Sequence, residues 1–111
     1  MSIHDLEFQQ GIVRQPLTSA ECSRLLAELP EWHIEHDPCD TLVAAFAFRD
    51  FALALQFANG LGELADRYNH HPELIVSYGR VVVKWWTHTA NGITGNDFVL
   101  ARETRAIASE S

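Results

Sequence analysis

The sequence predicts an α+β domain in which helices cover one face of a four-stranded antiparallel sheet, in the order α-β-β-α-β-β-α. Three stretches repeat apolar residues at helical spacing, and four stretches have strand signals, either apolar residues at every second position or many β-branched and aromatic residues. The strands come in two consecutive pairs, each joined by a short turn. At 111 residues the chain has the length of one domain. We expect this domain to span residues 1–111, with a loose N-terminus over about 1–15 and a loose tail over about 106–111.

The composition argues against several classes of protein. The chain has 8 Lys and Arg against 15 Asp and Glu, and the resulting charge of −7 disfavours direct binding to nucleic acid. Its apolar runs are much shorter than the ~20 residues of a membrane-spanning helix, and Met1–Gln10 does not resemble a signal peptide. Cys22 and Cys39 do not have the spacing of a zinc site or a disulfide framework. The sequence therefore predicts a cytoplasmic protein with reduced thiols.

The first helix and the first strand pair have clear signals. Thr18 and Glu21 form a capping box, and the apolar residues that follow recur at helical spacing until Pro30 stops the helix. Residues 32–36 then alternate apolar and polar side chains, and after a turn-rich segment residues 41–48 repeat with a period of two through Leu42, Ala44, Phe46 and Phe48. This pattern predicts a helix followed by two strands.

The second helix and the second strand pair follow. Asp50 is a suitable N-cap for a long amphipathic helix. Because Pro72 disfavours helical geometry for the residue before it, this helix should end at or before the two histidines at 70 and 71. The segments 74–78 and 81–88 are rich in β-branched and aromatic residues and predict a hairpin around Gly79-Arg80.

The last helix is predicted by a second capping pattern, in which Asp97 follows Thr94 by three residues. With this helix the predicted order of elements is complete. A sheet of only four strands leaves edges that can pair with another copy of the chain. We therefore expect a homo-oligomer, either a homodimer or a homotetramer.

Five ionisable residues should approach one another at one end of the sheet. His70 and His71 lie between the long helix and the third strand, and His88 lies at the end of the fourth strand. The hairpin would bring these positions together. Asp66 lies one helical turn before His70 and within its reach, and Asp97 lies in the first turn of the last helix. Histidine titrates near neutral pH, so this arrangement indicates acid–base chemistry.

Simpler interpretations of these residues remain open. Asp97 could serve only as a capping residue and Asp66 only as a solvated charge. The other histidines (His4, His33 and His36) are interpreted as surface or capping residues. Three histidines can also bind zinc, but adjacent residues in extended chain point in opposite directions, which disfavours shared ligation by 70 and 71. No metal site is predicted.

The motif resembles that of the pterin-4a-carbinolamine dehydratase family. The residues that carry the resemblance are Asp66, His70-His71-Pro72, Tyr78, His88 and Asp97, together with the stretches PEW at 30–32, FAFRDFALALQFANGLGELAD and THTANGITGNDFVLA. Two features depart from the family pattern. Asp66 stands where the family usually has glutamate, and Trp85-Trp86 stands where smaller residues are common.

The resemblance implies dehydration of 4a-hydroxytetrahydropterin to the quinonoid dihydropterin, with a pterin substrate and no metal or organic cofactor. It implies His70 and His88 as the acid–base pair and His71 as a binding and orienting group. Asp97 would orient His88, and Asp66 would orient His70. Pro72 would hold the backbone of the histidine pair in place.

Four aromatic residues are interpreted from the same resemblance and from strand alternation. Trp32 aligns with a family tryptophan near the pocket, so it either stacks on the pterin or lies in the core. Tyr78 is predicted to pack across the strands, and Trp85 to face the core. Trp86 shares a face with Lys84 and His88, which places it at a subunit contact or beside the site.

A second class of function is a non-catalytic interaction protein. The resemblance includes RuBisCO assembly factors of carboxysome-containing bacteria and dimerisation cofactors of a transcription factor. A shared fold cannot separate these functions, because unrelated activities occur on one scaffold. The intact set of histidines favours the enzyme.

Overall fold

The computed structural model describes residues 2–110, and its elements follow the predicted order. They are α1 (Ser19–Leu26), β1 (His33–Glu35), β2 (Thr41–Ala47), α2 (Phe51–Tyr68), β3 (Glu73–Ser77), β4 (Arg80–Trp85) and α3 (Gly95–Ser109). One-turn 3₁₀ helices precede α1 at Ile3–Asp5 and follow β4 at His88–Ala90. The predicted fold class is confirmed.

The four strands form one antiparallel sheet in the order β1-β2-β4-β3. In the register of the central pair, Leu42 lies opposite Trp85 and Ala44 opposite Val83. These side chains belong to the core, and α2 and α3 pack against the same face of the sheet. On the other face, Ile75 of the edge strand β3 is 47% exposed. The helices therefore cover one face, as the alternation of the strands predicts.

The predicted helix starts are confirmed. The Thr18 hydroxyl accepts from the Glu21 amide at 3.2 Å, and the Glu21 carboxylate accepts from the Thr18 amide at 2.9 Å. The hydrogen bond from the Thr18 amide to the carboxylate is the main cause of a lowered pKa of Glu21. Asp50 caps α2 by accepting from the Leu53 amide at 2.9 Å. Each cap satisfies amide groups that have no partner inside the helix.

The second helix ends at a residue that the sequence analysis did not single out. Asn69 adopts the left-handed conformation with φ 51°, and the His70 amide donates back to the Ala65 carbonyl at 3.1 Å. Asparagine tolerates this conformation better than most residues, which makes it a common helix terminator. The turn at Asn69 carries the chain out of the helix just before the two histidines.

The N-terminal segment, for which the sequence predicts a loose stretch, contacts the rest of the domain. Ile3 is 1% exposed and belongs to the core. Arg102 of α3 donates to the carbonyls of Ile3 and Leu6 at 3.0 and 2.9 Å. At the other end, α3 continues to Ser109 and so includes much of the stretch predicted as a tail. Met1 and Ser111 lie outside the described residues.

The hairpin between β3 and β4 turns one residue earlier than predicted. Ser77 pairs with Arg80, so Tyr78 and Gly79 form the turn. The prediction that Tyr78 packs across the strands is wrong, because a turn position leaves its side chain 71% exposed. A Cβ on Gly79 would lie 3.0 Å from the Phe48 carbonyl oxygen, which explains why glycine suits this position.

Both cysteines carry free thiols. Cys22 lies on the buried face of α1, and burial raises the pKa of its thiol to about 11. The pKa of Cys39 is also raised, again chiefly by burial. Among the helices of residues 2–110, none is both long and apolar enough to cross a membrane.

Candidate active site

A cavity of about 500 Å³ lies where the end of α2, the segment after β4 and the N-terminal segment meet. His70, His71 and His88 all line it, together with Trp86. The fold therefore brings the three imidazoles together at one end of the sheet, as the proposed hairpin requires. The residues that line the cavity carry no Lys, Arg, Asp or Glu side chain, so imidazoles, hydroxyls and amides supply its polar groups.

His70 and Asp97 form the more buried of the two histidine–carboxylate pairs at this site. Nε2 of His70 lies 2.7 Å from Oδ1 of Asp97, and the side chains are 12% and 0% exposed. This pairing differs from the predicted one, in which Asp97 orients His88 and Asp66 orients His70. The actual pairing follows from the turn at Asn69, which directs His70 towards the start of α3.

The carboxylate of Asp97 is held by both of its oxygens. While Oδ1 contacts His70, Oδ2 accepts from the Thr94 amide at 2.9 Å and from the Thr87 hydroxyl at 2.7 Å. Asp97 is therefore a capping residue and a histidine partner at once, but its partner is His70 and not the predicted His88. Thr87 was not predicted as a site residue, although it directly precedes His88.

Two aromatic rings flank the imidazole of His70. The Trp85 ring lies 5.8 Å away and the Phe8 ring 6.0 Å away, measured between ring centroids. Trp85 is completely buried, as predicted, and its Nε1 donates to the Thr104 hydroxyl of α3 at 3.0 Å. Because its neighbours are fixed, His70 has little freedom to rotate. Neither Phe8 nor Thr104 could be predicted here, since neither lies near the histidines along the chain.

His71 and Asp66 form a second pair, with His71 Nε2 at 3.0 Å from Asp66 Oδ1. Their side chains are 57% and 81% exposed, so water screens the interaction. Asp66 thus contacts His71 instead of His70. Pro72 is half-buried between His71 and β3 and does not line the cavity.

His88 lies just beyond β4, which ends earlier than predicted, and it begins a one-turn 3₁₀ helix. Its ring lies 4.8 Å from the ring of Trp86. Trp86 lines the cavity, which agrees with the predicted position beside the site. Within residues 2–110, the His88 ring has no carboxylate partner at ion-pair distance.

Trp32 is not part of the cavity wall. It is 4% exposed and packs against Phe46 with ring centroids 6.0 Å apart. The predicted alternative of core burial therefore describes Trp32, which belongs to the hydrophobic core after a turn in which its amide donates to the Leu29 carbonyl. Stacking of Trp32 on a ligand in this cavity has no geometric support.

The donors for a metal ion are also arranged unfavourably. In the part of the chain from Ser2 to Glu110, no group of three or more His, Cys, Asp and Glu is positioned to hold a metal. The nearby carboxylates each contact one imidazole at hydrogen-bond distance. This pattern is typical of histidines whose tautomer and orientation are fixed by a carboxylate.

The fold and the cavity together define a small α+β protein with a histidine-lined pocket suited to acid–base chemistry. Comparison with known proteins gives the family. Residues 15–107 match the model of the pterin 4 alpha carbinolamine dehydratase family. The chain belongs to this family, as its resemblance to the motif predicts.

Individual relatives agree with this assignment. A protein of Chlorobium luteolum named "Putative pterin-4-alpha-carbinolamine dehydratase" is 44% identical over 86% of this chain and 84% of its own. A protein of the same name from Chlorobium limicola is 46% identical over 80% of each chain. Among solved structures, a transcriptional coactivator/pterin dehydratase from Brucella melitensis is 35% identical with a TM-score of 0.79, covering 85% of this chain and 99% of its own.

A pterin dehydratase-like RuBisCO assembly factor of the alpha-carboxysome is also similar in structure. Its TM-score is 0.61 and its identity is 22%, over 73% of this chain and 93% of its own. At that identity the likeness shows the shared fold alone. It gives no support to an assembly function for this chain.

Proposed function

We propose that this protein dehydrates 4a-hydroxytetrahydropterin to the quinonoid dihydropterin by histidine acid–base catalysis. The observation that carries the proposal is the buried His70–Asp97 pair beside a cavity that His71 and His88 also line. Membership of the dehydratase family supports the same reaction. The names of the relatives from Chlorobium supply the substrate class.

His70 is proposed as the general base. Its Nε2 faces a carboxylate, which only accepts hydrogen bonds, so the proton of the neutral ring resides on Nε2. The free nitrogen, Nδ1, then has a lone pair that can take the proton from a ring nitrogen of the pterin. Asp97 acts as a positioning residue that fixes this tautomer and stabilises the charged ring formed by proton transfer.

His88 is proposed as the general acid. Among residues 2–110 no carboxylate contacts its ring at ion-pair distance, and contact with the tilted ring of Trp86 restricts the direction in which it points. Protonation of the 4a-hydroxyl allows the C4a–O bond to break with release of water. Loss of the ring-nitrogen proton to His70 completes the elimination and leaves the quinonoid product. Atoms and charge balance without an oxidant or a reductant.

His71 is proposed to bind and orient the substrate. It is more exposed than His70, and its pairing with Asp66 leaves the other ring nitrogen available to a ligand. Trp86 offers an aromatic surface beside His88 for the flat pterin ring. Pro72 keeps the chain extended after His71 and has no proposed contact with the substrate.

The proposal includes three further expectations. The reaction needs no metal or organic cofactor, since the substrate carries its own leaving group and nitrogen lone pair. The protein acts in the cytoplasm, where its free thiols stay reduced. It self-associates as a homodimer or homotetramer through an open edge of the sheet, such as β3.

The proposed reaction can be tested with carbinolamine generated immediately before the assay. Wild-type protein should accelerate dehydration, with and without a chelator, and His88→Ala should abolish most of the acceleration. His33→Ala is the matched control, because His33 is exposed and pairs with Glu35 outside the cavity. If the wild type does not accelerate dehydration, the enzymatic proposal is wrong and the interaction-protein alternative gains support.

A further inference from the structure

The N-terminal segment Phe8–Val13 forms one wall of the histidine-lined cavity. Phe8, Gln10, Gly11, Ile12 and Val13 all line it. Gly11 adopts φ 86°, a conformation that glycine tolerates well, and the chain bends there. Ile12 follows the bend and is 66% exposed. The large apolar side chain of Ile12 is therefore exposed to solvent where it lines the cavity.

This wall segment is fixed by specific hydrogen bonds. Its Gln9 backbone pairs with the side chain of Asn96, donating to Oδ1 at 2.8 Å and accepting from Nδ2 at 3.0 Å. Further along, the Val13 carbonyl accepts from the Thr89 hydroxyl at 2.6 Å. Asn96 is 4% exposed, so its amide can hold the segment with little competition from water.

The same turn of α3 holds the wall segment and the proposed base. Asn96 binds Gln9, and its neighbour Asp97 binds His70. Phe8 adds a direct contact, since its ring packs against both His70 and Tyr68. The wall segment is consequently held in a fixed position relative to His70. A fixed wall of this kind is needed if the cavity is to distinguish substrates by the shape of their substituents.

The wall segment is short and carries no charged side chain. It reads FQQGIV, with apolar side chains, two amides and no charge. Residues 8–13 lie outside the stretch 15–107 that matches the family model. The imidazoles lie within that stretch, so the family pattern covers the catalytic groups and leaves this wall undefined.

We propose that residues 8–13 are a specificity-determining element, in which Ile12 and Gln10 contact the substituent carried by the pterin ring. This inference rests on the proposed function, because it takes a pterin as the ligand. Ile12 would contact the apolar part of the substituent, and the Gln10 amide would hydrogen-bond its polar groups. The histidines would meanwhile face the reacting atoms of the ring.

The test measures binding, which separates this inference from catalysis. Two stable dihydropterins serve as probes, identical in the ring and substituted with a methyl group or a dihydroxypropyl chain. Dissociation constants are measured by tryptophan fluorescence for the wild type, Ile12→Ala and Gln10→Ala. The matched control is Gln15→Ala, which removes an amide from the same N-terminal region but outside this cavity.

We expect Ile12→Ala or Gln10→Ala to change the ratio of the two dissociation constants by about tenfold, as contacts in substrate pockets do, while Gln15→Ala leaves it unchanged. If the wild type binds both probes and neither wall variant alters the ratio beyond about twofold, the specificity inference is wrong, whether or not the protein dehydrates its substrate. If the probes bind and the ratio changes but no dehydration occurs, the inference holds and the catalytic proposal fails. If the wild type binds neither probe, the specificity inference fails, and the dehydration assay alone decides the catalytic proposal.

Discussion

Asp97 lies with Oδ1 at 2.7 Å from Nε2 of His70 while its Oδ2 accepts from the amide of Thr94, the N-cap of α3. One buried carboxylate thus joins the helix start to the imidazole at the cavity. Replacement of the charged Asp97 side chain by a neutral one should therefore affect both the stability of the fold and the rate of the proposed reaction. Asp66, which contacts His71 at the surface, provides a comparison within the same site.

Asp97→Asn should lower both turnover and stability. An amide has only one accepting oxygen, so its NH₂ group must face either His70 or the donors at Thr87 and Thr94. The unsatisfied group should cost about 1–3 kcal/mol of unfolding free energy. Turnover should fall by about 10²-fold or more if the base loses its orientation. Denaturant unfolding and steady-state kinetics measure the two effects.

Asp66→Asn is the matched control for that substitution. Because the Asp66–His71 pair is exposed, it should contribute less than about 1 kcal/mol, and turnover should stay within about threefold of wild type. An equal loss of turnover in the two variants would contradict the assignment of Asp97 as the partner of the base.

Removal of the proposed catalysts should give non-additive losses. His70→Ala and His88→Ala should each lower turnover by about 10²–10⁴-fold while circular dichroism shows a retained fold. The double variant should lose much less than the product of these factors, because the groups act as a unit. His71→Ala should mainly raise KM. Single variants that stay within about threefold of wild type would show that these imidazoles do not transfer the protons.

Acid should weaken the attachment of the N-terminal segment through Glu28. Hydrogen bonds from the Ser2 hydroxyl and the Ile3 amide, at 2.8 and 3.0 Å, lower the pKa of Glu28 below its ordinary value of 4.5. A depressed pKa in the folded state adds stability above the ordinary value, and this stability is lost as pH falls through the folded value.

The corresponding measurement compares the wild type with Glu28→Gln in denaturant unfolding between about pH 6 and about pH 3. The wild type should have the larger free energy of unfolding at the upper end of this range, and the difference from the variant should shrink as the pH decreases. A stability difference that stays constant down to the lowest pH would rule out a role for the ionised Glu28 side chain.

The open edge at β3 gives a prediction about self-association. Light scattering at micromolar concentration should find at least a dimer. Ile75→Lys should shift the protein towards the monomer, because charged side chains on edge strands oppose pairing. Tyr78→Lys adds the same charge in the neighbouring turn and serves as the control. A wild-type protein that stays monomeric at high concentration would remove the argument from the open edge.

Several features of this protein follow from short stretches of the sequence. The capping pairs Thr18–Glu21 and Thr94–Asp97 act within three residues, so their helix starts could be predicted from the sequence. The alternation of β2 and β4 likewise decided which side chains enter the core. Local signals of this kind depend only on neighbouring residues. The order of elements and the face that each strand buries were therefore determined by the sequence itself.

The partners of the histidines depended on the tertiary structure. The sequence placed Asp66 nearest to His70, but the left-handed turn at Asn69 brings His70 to Asp97, which is 27 positions away. The positions of Phe8 and Thr104 beside the site also depend on how distant segments pack. Helix ends and long-range packing decide which side chains line the same cavity. A local pattern of residues carries little information about either of them.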